Sequence, residues 1–432
     1  MGRRPRGPPA VDTTNDTPFR SEERYWKNKR EERDWSRALT VSAIEWDPRC
    51  SPSGKQRGTW QDDGHILECW RVPMDDLAAA QIGQTRWKGK AKSDEPIDFA
   101  IVVPAIPGLV LLPRILPPEL QRSLTIESLR SSLSPNVTSL AAHYELPEEG
   151  IWNAWECGKR DLEVERKDKV RETVLKREQN NFEPVTKENW NQLKDRGKDL
   201  EHKSATDPSS SRSSSAAPEQ CDRRDVTVAE LLPKLRWTTI GWTYDWTSKT
   251  YDFDSPRVPL PPLMYDCCKA AVRAVPWNDV FAGEPRLCES EGGIDNFWTS
   301  WHSDYEPEAG IINFYHLQDS LTAHVDQSEV DAIRPLISFS LGHSAIFLVG
   351  GPTRDTKPLA IRLDSGDGLI MSGRSGRRVF HGLPRVIAGT LPPHLGSESN
   401  ELSQHEDADE WRTFGQYLEG GARININVRT VF

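Results

Sequence analysis

The spacing of apolar and polar positions divides the chain into parts of different character. Residues 1–95 are rich in Arg, Trp, Asp and Gly and show no sustained period, which predicts a partly disordered N-terminal extension with local folding around Trp35, Trp46, Trp60 and Trp70. Residues 96–155 open with the apolar run FAIVVPAIPGLVLL and lead to a helix beginning near Pro117, so we expect a buried extended segment and then a helix. Residues 156–225 are densely charged and then rich in Ser and Pro, which predicts an insertion or linker.

Residues 226–432 contain many short apolar runs separated by turns rich in Gly and Asp. These runs include IINFYHL, LISFSLG, SAIFLVGG and ARININVRTVF. Strands of this length and spacing are typical of a β-sandwich, a barrel or a jelly roll. The fold class predicted for this part of the chain is therefore mainly β.

Composition and charge exclude several classes of protein. The hydrophobic share of 36% is low, so part of the chain is not expected to bury a core. The net charge of −10 argues against a uniformly basic protein that coats nucleic acid, although it is compatible with a local basic patch. The acidity belongs to residues 226–432, which hold 18 Lys and Arg against 27 Asp and Glu.

The cysteines and the apolar runs bear on the compartment. The 7 Cys residues form no CxxC pair, so neither a zinc site nor a disulfide framework is expected, and a reducing compartment is the default. The most apolar stretch, residues 99–112, is short and interrupted by Pro104 and Pro107, so no membrane span is expected. The N-terminus has no apolar run behind its arginines, which argues against a secretory signal. We expect a nuclear or cytoplasmic location and leave a mitochondrial one open.

The first chemical motif is His324-Val325-Asp326, followed after 54 intervening residues by His381. Alternate residues of an extended segment point the same way, so one imidazole and one carboxylate can reach a single cation. Two His and one carboxylate form the facial triad of non-haem Fe(II) oxygenases. An isolated HxD is more often ordinary surface polarity, so this motif needs support from elsewhere in the chain.

The second motif is the strictly alternating strand RININVR, residues 423–429. A strand period of two places Arg423, Asn425, Asn427 and Arg429 on one face and three apolar residues on the other. Two guanidiniums on one face suit a dicarboxylate, because Arg binds carboxylates in a bidentate manner. The alternative is a solvated edge strand with its arginines in water, and the motif alone does not decide between the two.

The order HxD, His and RxNxNxR on short strands resembles the AlkB family of Fe(II)- and 2-oxoglutarate-dependent dioxygenases, in particular the eukaryotic branch typified by AlkB homologue 1. The stretches EAGIINFYHLQDSLTAHVDQSE, PLISFSLGHSAIFLVGG and LRWTTIGWTYDWTSKTY carry the resemblance. It implies a double-stranded β-helix (jelly roll, cupin-like) core with flanking helices, an α+β arrangement that is mainly β. Residues 96–155 would be the N-terminal part of this domain and residues 226–432 its catalytic core.

The resemblance also implies a site. His324, Asp326 and His381 would be the iron ligands and the catalytic residues. The residues implied around 2-oxoglutarate are Asn313, Tyr315, Arg423, Asn425, Asn427 and Arg429. Among them, Arg423 would bind the distal carboxylate, Arg429 would lie nearer the metal, and the two Asn residues at 425 and 427 would support this network.

The activity implied by the resemblance is oxidative demethylation of N-methylated bases in nucleic acid. Fe(II) would be the metal cofactor, and 2-oxoglutarate and O2 would be consumed, with release of formaldehyde, succinate and CO2. The substrate would be methylated DNA carrying N6-methyladenine or methylated RNA such as transfer RNA carrying N1-methyladenosine, and the sequence does not choose between them. The oligomeric state is also left open.

Two groups of residues are candidates for binding the substrate. Trp242, Tyr244 and Trp246 alternate, so they would share a strand face on which a flipped base could stack. A cross-strand aromatic cluster that packs a hairpin explains them equally well.

Arg374, Arg377 and Arg378 precede His381 and reverse the local sign of charge, which predicts contacts with phosphates. A solvated basic loop is the alternative for this second group.

Two further functions are compatible with the same residues. One keeps the fold and cofactors but acts on protein side chains, by demethylation or hydroxylation, and the overall acidity slightly favours it. The other is a catalytically silent AlkB-like binding module, against which the complete set of His, Asp and Arg residues argues.

Overall fold

The computed structural model describes nine stretches of the chain, and the structural observations concern these residues. They are residues 16–28, 33–62, 65–75, 99–167, 226–245, 250–282, 297–326, 329–398 and 408–432. Most of the predicted linker 156–225, and parts of the predicted extension 1–95, lie outside them.

Short strands account for most of the regular structure in these stretches, as the sequence predicts. They are β1 Glu45–Cys50, β2 Gln56–Asp62, β3 His65–Pro73, β4 Phe99–Val102, β5 Leu109–Leu112, β6 Glu163–Val164, β7 Val226–Thr227, β8 Trp237–Gly241, β9 Tyr244–Asp245, β10 Thr250–Tyr251, β11 Ala309–Tyr315, β12 Leu321–His324, β13 Leu336–Gly342, β14 Ala345–Val349, β15 Leu359–Leu363, β16 Gly368–Met371, β17 His381–Val386 and β18 Arg423–Arg429.

The helices of the described stretches are short and flank the strands. They are α1 Pro18–Lys27, α2 Pro118–Arg130, α3 Ile151–Glu156, α4 Val228–Leu231, α5 Pro262–Ala274, α6 Trp277–Val280, α7 Trp301–Asp304, α8 Gly373–Gly376 and α9 Ala408–Glu419. Helix α2 begins next to Pro117, where the sequence predicts a helix start, because proline fixes a backbone angle suited to the first turn. No helix of these stretches combines the length and the apolar character that crossing a lipid bilayer requires.

Two antiparallel sheets form the centre of the molecule. The large sheet has the strand order β1-β2-β3-β4-β5-β16-β13-β18-β11-β8, and the small sheet has the order β12-β17-β14-β15. The chain crosses between the sheets several times from β11 to β18, which is the double-stranded β-helix expected from the sequence. The fold class, mainly β with flanking helices, is confirmed.

Strand β18 lies inside the large sheet, between β13 and β11, and separates two environments. Its apolar side chains, Ile424, Ile426 and Val428, are fully buried in the core that includes residues of α2 and α5. Its polar side chains therefore point to the opposite face of the sheet, toward the small sheet. The alternative of a solvated edge strand is wrong, because β18 has hydrogen-bonded neighbours on both sides.

Residues 45–62 and 65–73 of the N-terminal segment fold onto the large sheet. Strands β1, β2 and β3 pair in sequence, and β3 pairs with β4, so these residues continue the large sheet. Trp60 and Cys69 from this segment are buried in an apolar cluster with Leu109 and Leu369 of the sheet. The segment is thus part of the same folded unit, since backbone pairing with β4 makes up for its lack of a clear period.

Candidate metal centre

Three potential metal ligands converge at one end of the small sheet. His324 is the last residue of β12, His381 is the first residue of β17, and the antiparallel register places the two opposite each other. Asp326 follows two residues after His324, and Oδ1 of Asp326 lies 3.5 Å from Nε2 of His324 and 4.0 Å from Nε2 of His381. One ligand atom from each side chain can be chosen so that all three lie within 4.8 Å of one another. These spacings fit a single cation bound by two imidazoles and a carboxylate.

Both imidazoles are oriented by backbone carbonyl groups. Nδ1 of His324 lies 2.9 Å from the carbonyl oxygen of Thr322, and Nδ1 of His381 lies 3.1 Å from that of Val379. A neutral imidazole that donates from Nδ1 keeps the lone pair of Nε2 for a metal. Burial lowers the pKa of His381 to about 4, with the neighbouring imidazole of His324 contributing, so the ring is neutral near pH 7.

The carboxylate of the triad is held in its ionised form. Burial by itself raises the pKa of Asp326, but the guanidinium of Arg429 and the two imidazoles outweigh it and hold that pKa well below its usual range. Nη1 of Arg429 lies 3.5 Å from Oδ2 of Asp326. An ionised carboxylate is the form that binds a divalent cation.

A cavity of about 550 Å³ between the two sheets opens onto the triad. The polar face of β18 forms its floor, together with residues of β11 and β13 that the register places alongside. The polar residues that line it include Asn313, Tyr315, Ser338, Arg423, Asn425, Asn427 and Arg429. The register pairs Asn313 with Asn425 and Tyr315 with Arg423, so the residues expected around 2-oxoglutarate lie side by side.

Arg423 is fully buried on this floor and has no ion-pair partner among the described residues. Its guanidinium donates to Oγ of Ser340 at 2.7 Å and to the carbonyl oxygen of His343 at 2.8 Å, while Nε has no hydrogen-bond partner. Burial lowers the pKa of Arg423 to about 10, which still leaves it charged near pH 7. A buried charge without a counter-ion is costly, so the arrangement fits a bound carboxylate.

The two asparagines of β18 are held by their neighbours. Nη2 of Arg429 donates to Oδ1 of Asn427 at 3.0 Å, and Nδ2 of Asn425 donates to the carbonyl oxygen of Phe339 at 3.2 Å. Asn427 thus supports the guanidinium next to Asp326.

The aromatic residues proposed to stack a base occupy different positions. Strand β8 ends at Gly241, whose φ is +76°, and β9 begins at Tyr244, so Trp242 and Tyr244 do not share a strand. The Trp242 ring packs edge-on against Phe253 at a centroid distance of 5.3 Å, whereas Tyr244 lines the cavity. Trp246 lies outside the described residues. The aromatic-cluster alternative fits Trp242 and also Tyr244, whose ring packs edge-on against its cross-strand neighbour Tyr251 at a centroid distance of 5.3 Å. A substrate contact by Tyr244 stays a prediction.

The arginines before His381 differ in their exposure to solvent. Arg374 and Arg378 are exposed, and Nη1 of Arg378 donates to the carbonyl oxygen of Asp326 at 3.3 Å, which places it beside the metal centre. Arg377 is 1% exposed and forms an ion pair with Glu329. The phosphate contact predicted for Arg377 is therefore wrong, because its guanidinium is buried against a carboxylate and turned away from solvent.

Some residues of the cavity were not found from the sequence. Ser338, which lines the cavity, and Ser340, which binds Arg423, alternate with apolar residues in LISFSLG, and this period could have identified both. Glu329 had no such signal, since its partners come from distant parts of the chain.

The C-terminal half of the chain matches a known protein family. Residues 203–429 match the family model described as the 2OG-Fe(II) oxygenase superfamily. This match covers more than half of the chain and includes all three potential metal ligands as well as Arg423.

Curated relatives share this region. The chain is 35% identical over 210 residues, 48% of its length and 52% of the relative, to "DNA N(6)-methyladenine demethylase ALKBH1A" of Arabidopsis thaliana. It is 35% identical over 211 residues, 49% of its length and 57% of the relative, to "tRNA demethylase abh1" of Schizosaccharomyces pombe. It is 28% identical over 430 residues, 90% of its length and 99% of the relative, to "N6-methyladenosine RNA demethylase ALKB1" of Pyricularia oryzae. The chain thus spans about half the length of the first two relatives and nearly all of the third.

Proposed function

The chain belongs to the 2OG-Fe(II) oxygenase superfamily, and from this premise we propose that it oxidatively demethylates N-methylated bases in nucleic acid. The observation that carries the proposal is the cavity in which a His-Asp-His triad and the buried guanidinium of Arg423, which has no ion-pair partner in the described stretches, face the same space. The triad offers ligands for Fe(II), and the guanidinium offers a partner for a carboxylate of 2-oxoglutarate.

The residues present fit both groups. Neutral imidazoles and an ionised carboxylate are the protonation states in which these side chains bind a cation. Arg423 is a buried charge with no ion-pair partner among the described residues. His324, His381 and Asp326 would hold Fe(II), and Arg423 would hold the distal carboxylate. When bound, iron, 2-oxoglutarate and O2 supply the oxidation of an N-methyl group, with formaldehyde, succinate and CO2 as products.

The protein's own contribution is orientation and the exclusion of water. The walls of the cavity beside the triad are apolar and come from both sheets: Leu336, Phe347, Leu363, Leu369, Met371 and Leu383. Such walls limit the access of water to the site and so protect a reactive oxidant from side reactions. The polar floor fixes the direction from which a carboxylate ligand enters.

The names of the relatives support nucleic acid as the substrate. All three are named as demethylases of DNA or RNA, although they differ in the nucleic acid that each name gives. Tyr244 at the cavity offers a ring to stack on a flipped base. The exposed Arg374 and Arg378 offer charges to phosphates, and Arg378 does so from beside Asp326. We propose methylated DNA or RNA as the partner of this surface.

Mass spectrometry of nucleosides tests the proposal. The protein is incubated with Fe(II), ascorbate and 2-oxoglutarate and with oligonucleotides that carry N6-methyladenine in DNA, N6-methyladenosine in RNA or N1-methyladenosine in a transfer-RNA stem-loop. We expect loss of at least one methyl mark with formation of formaldehyde, and no loss with His324→Ala. Intact methyl marks on every substrate, together with succinate formed only on a protein extract, would favour the protein-directed alternative.

A further inference from the structure

A buried carboxylate, Glu329, lies between two buried guanidiniums beside the metal centre. Its side chain is 2% exposed, and Oε2 lies 3.4 Å from Nη2 of Arg377, whose side chain is 1% exposed. Oε1 accepts a hydrogen bond from Nη1 of Arg429. Arg377 is fixed further, because its Nη1 donates to the carbonyl oxygen of Arg334 at 2.8 Å. Buried ion pairs seldom add stability over apolar packing, so this arrangement points to a role other than folding.

The three residues connect the segments that carry the potential metal ligands. Glu329 follows Asp326 by three residues, Arg377 precedes His381 by four, and Arg429 is the last residue of β18. A displacement of any one of these segments would therefore separate charges that are buried together.

We propose that Glu329 is a positioning residue for the metal centre, acting through Arg429 on Asp326. Nη1 of Arg429 contacts both Glu329 and Oδ2 of Asp326, and its distance from Oδ2 is 3.5 Å. Glu329 thereby holds the guanidinium where it meets only one oxygen of Asp326. The other oxygen, Oδ1, faces the two imidazoles and stays available to a metal. This inference rests on one part of the proposed function, namely that the triad binds a divalent cation.

The charge balance explains why a carboxylate is needed at this position. Two buried guanidiniums, Arg377 and Arg429, are balanced by two carboxylates, Glu329 and Asp326. Without the charge of Glu329, the guanidinium of Arg429 can reorient and bind both carboxylate oxygens of Asp326 in a bidentate manner. That contact competes with the cation for the same carboxylate, and the additional positive charge repels the cation.

Metal binding by Glu329→Gln tests this idea, because glutamine keeps the shape and removes the charge. Binding of Mn(II) alone to the full chain is followed by the loss of the electron paramagnetic resonance signal of free Mn(II). We expect the dissociation constant to rise at least about tenfold, as for other residues that orient metal ligands. Glu306→Gln is the matched control, since Glu306 pairs with Lys269 at 2.9 Å outside the cavity and should leave binding unchanged.

Two further measurements separate positioning from a general loss of structure. The absorption bands of bound Co(II) report on the ligands, and we expect Glu329→Gln to change their intensity as Asp326 is withdrawn. Glu329→Asp keeps the charge but is too short to reach both arginines, so its affinity for Mn(II) should lie between those of the wild type and Glu329→Gln. If Glu329→Gln does not fold, the affinity of Glu329→Asp for Mn(II) tests the positioning role in its place.

The outcomes distinguish the inference from the function on which it rests. If the wild type binds Mn(II) and Glu329→Gln or a folded Glu329→Asp binds it equally well with unchanged Co(II) bands, the positioning role is disproved and the proposed function stands. If the wild type binds Mn(II) no better than His324→Ala does, the metal centre itself is refuted, and both proposals fail together.

Discussion

Replacing Arg423 by Met removes the guanidinium that we expect to bind 2-oxoglutarate. The side chain is 0% exposed and has no ion-pair partner among the described residues, so its charge is kept for a ligand. A hydrogen bond to a charged group contributes about 1.5–3 kcal/mol, and a bidentate contact contains two. At the lower end the loss is roughly 3 kcal/mol, which corresponds to about a hundredfold rise in the dissociation constant of 2-oxoglutarate.

The same change should affect stability in the opposite sense. A buried charge without a counter-ion disfavours the folded state, so the ligand-free Arg423→Met variant should melt at the wild-type temperature or above it. Calorimetric titration of 2-oxoglutarate in the presence of Mn(II), and thermal unfolding without either, give the two readouts. Arg362→Met is the control, because Arg362 pairs with Asp364 at 2.8 Å outside the cavity. Wild-type affinity for 2-oxoglutarate, or a loss of binding that merely follows a large drop in melting temperature, would refute the reasoning.

Three other changes give separate tests. Burial raises the pKa of Asp367 to about 7 from 3.8, so the stability that its protonated form provides is complete below about pH 4 and is lost as the pH rises through about 7. Denaturant titrations should therefore show the free energy of unfolding of Asp367→Asn increasing relative to that of the wild type between pH 5 and pH 8. A difference that does not change with pH would contradict this. At Gly241, φ is +76° and an added Cβ would lie 2.1 Å from the carbonyl oxygen of Glu308, whereas at Gly389 φ is +71° and the space is open. Gly241→Ala should therefore lower the melting temperature by several degrees more than Gly389→Ala does. Equal losses would show that the steric contact is unimportant. Arg378→Ala should reduce the salt dependence of oligonucleotide binding by about one counter-ion in fluorescence anisotropy, and an unchanged slope would remove Arg378 from the phosphate contacts.

The site could be predicted from the sequence where its residues follow a local period. The strict alternation of β18 correctly placed Arg423 and Arg429 on one face, because a strand period of two is set by covalent geometry. The HxD spacing likewise brought His324 and Asp326 to one point. What the period could not supply was the neighbours of β18, since β11 and β13 are chosen by packing over distances of about a hundred residues along the chain.

The errors have the same origin. Arg377 looks like a surface residue in a basic loop, but its partner Glu329 lies 48 positions earlier, and no local pattern connects the two. Trp242 and Tyr244 alternate as in a strand, yet the positive φ of Gly241 ends β8 before them. Residues 45–73 lack a clear period because several of their side chains lie at intermediate exposure, and pairing with β4 supplies the missing order.

The central place of β18 has a consequence for folding of the protein. Residues 423–429 follow both of their neighbours, β11 and β13, along the chain and must insert between two strands of 7 residues each. Until β18 inserts, each neighbour presents an unpaired edge of mainly apolar sequence, which is a template for association with other chains. Intermediates in which β18 has not yet inserted are therefore expected to associate, and the carboxylate-binding floor and the contact of Arg429 with Asp326 form only when it inserts.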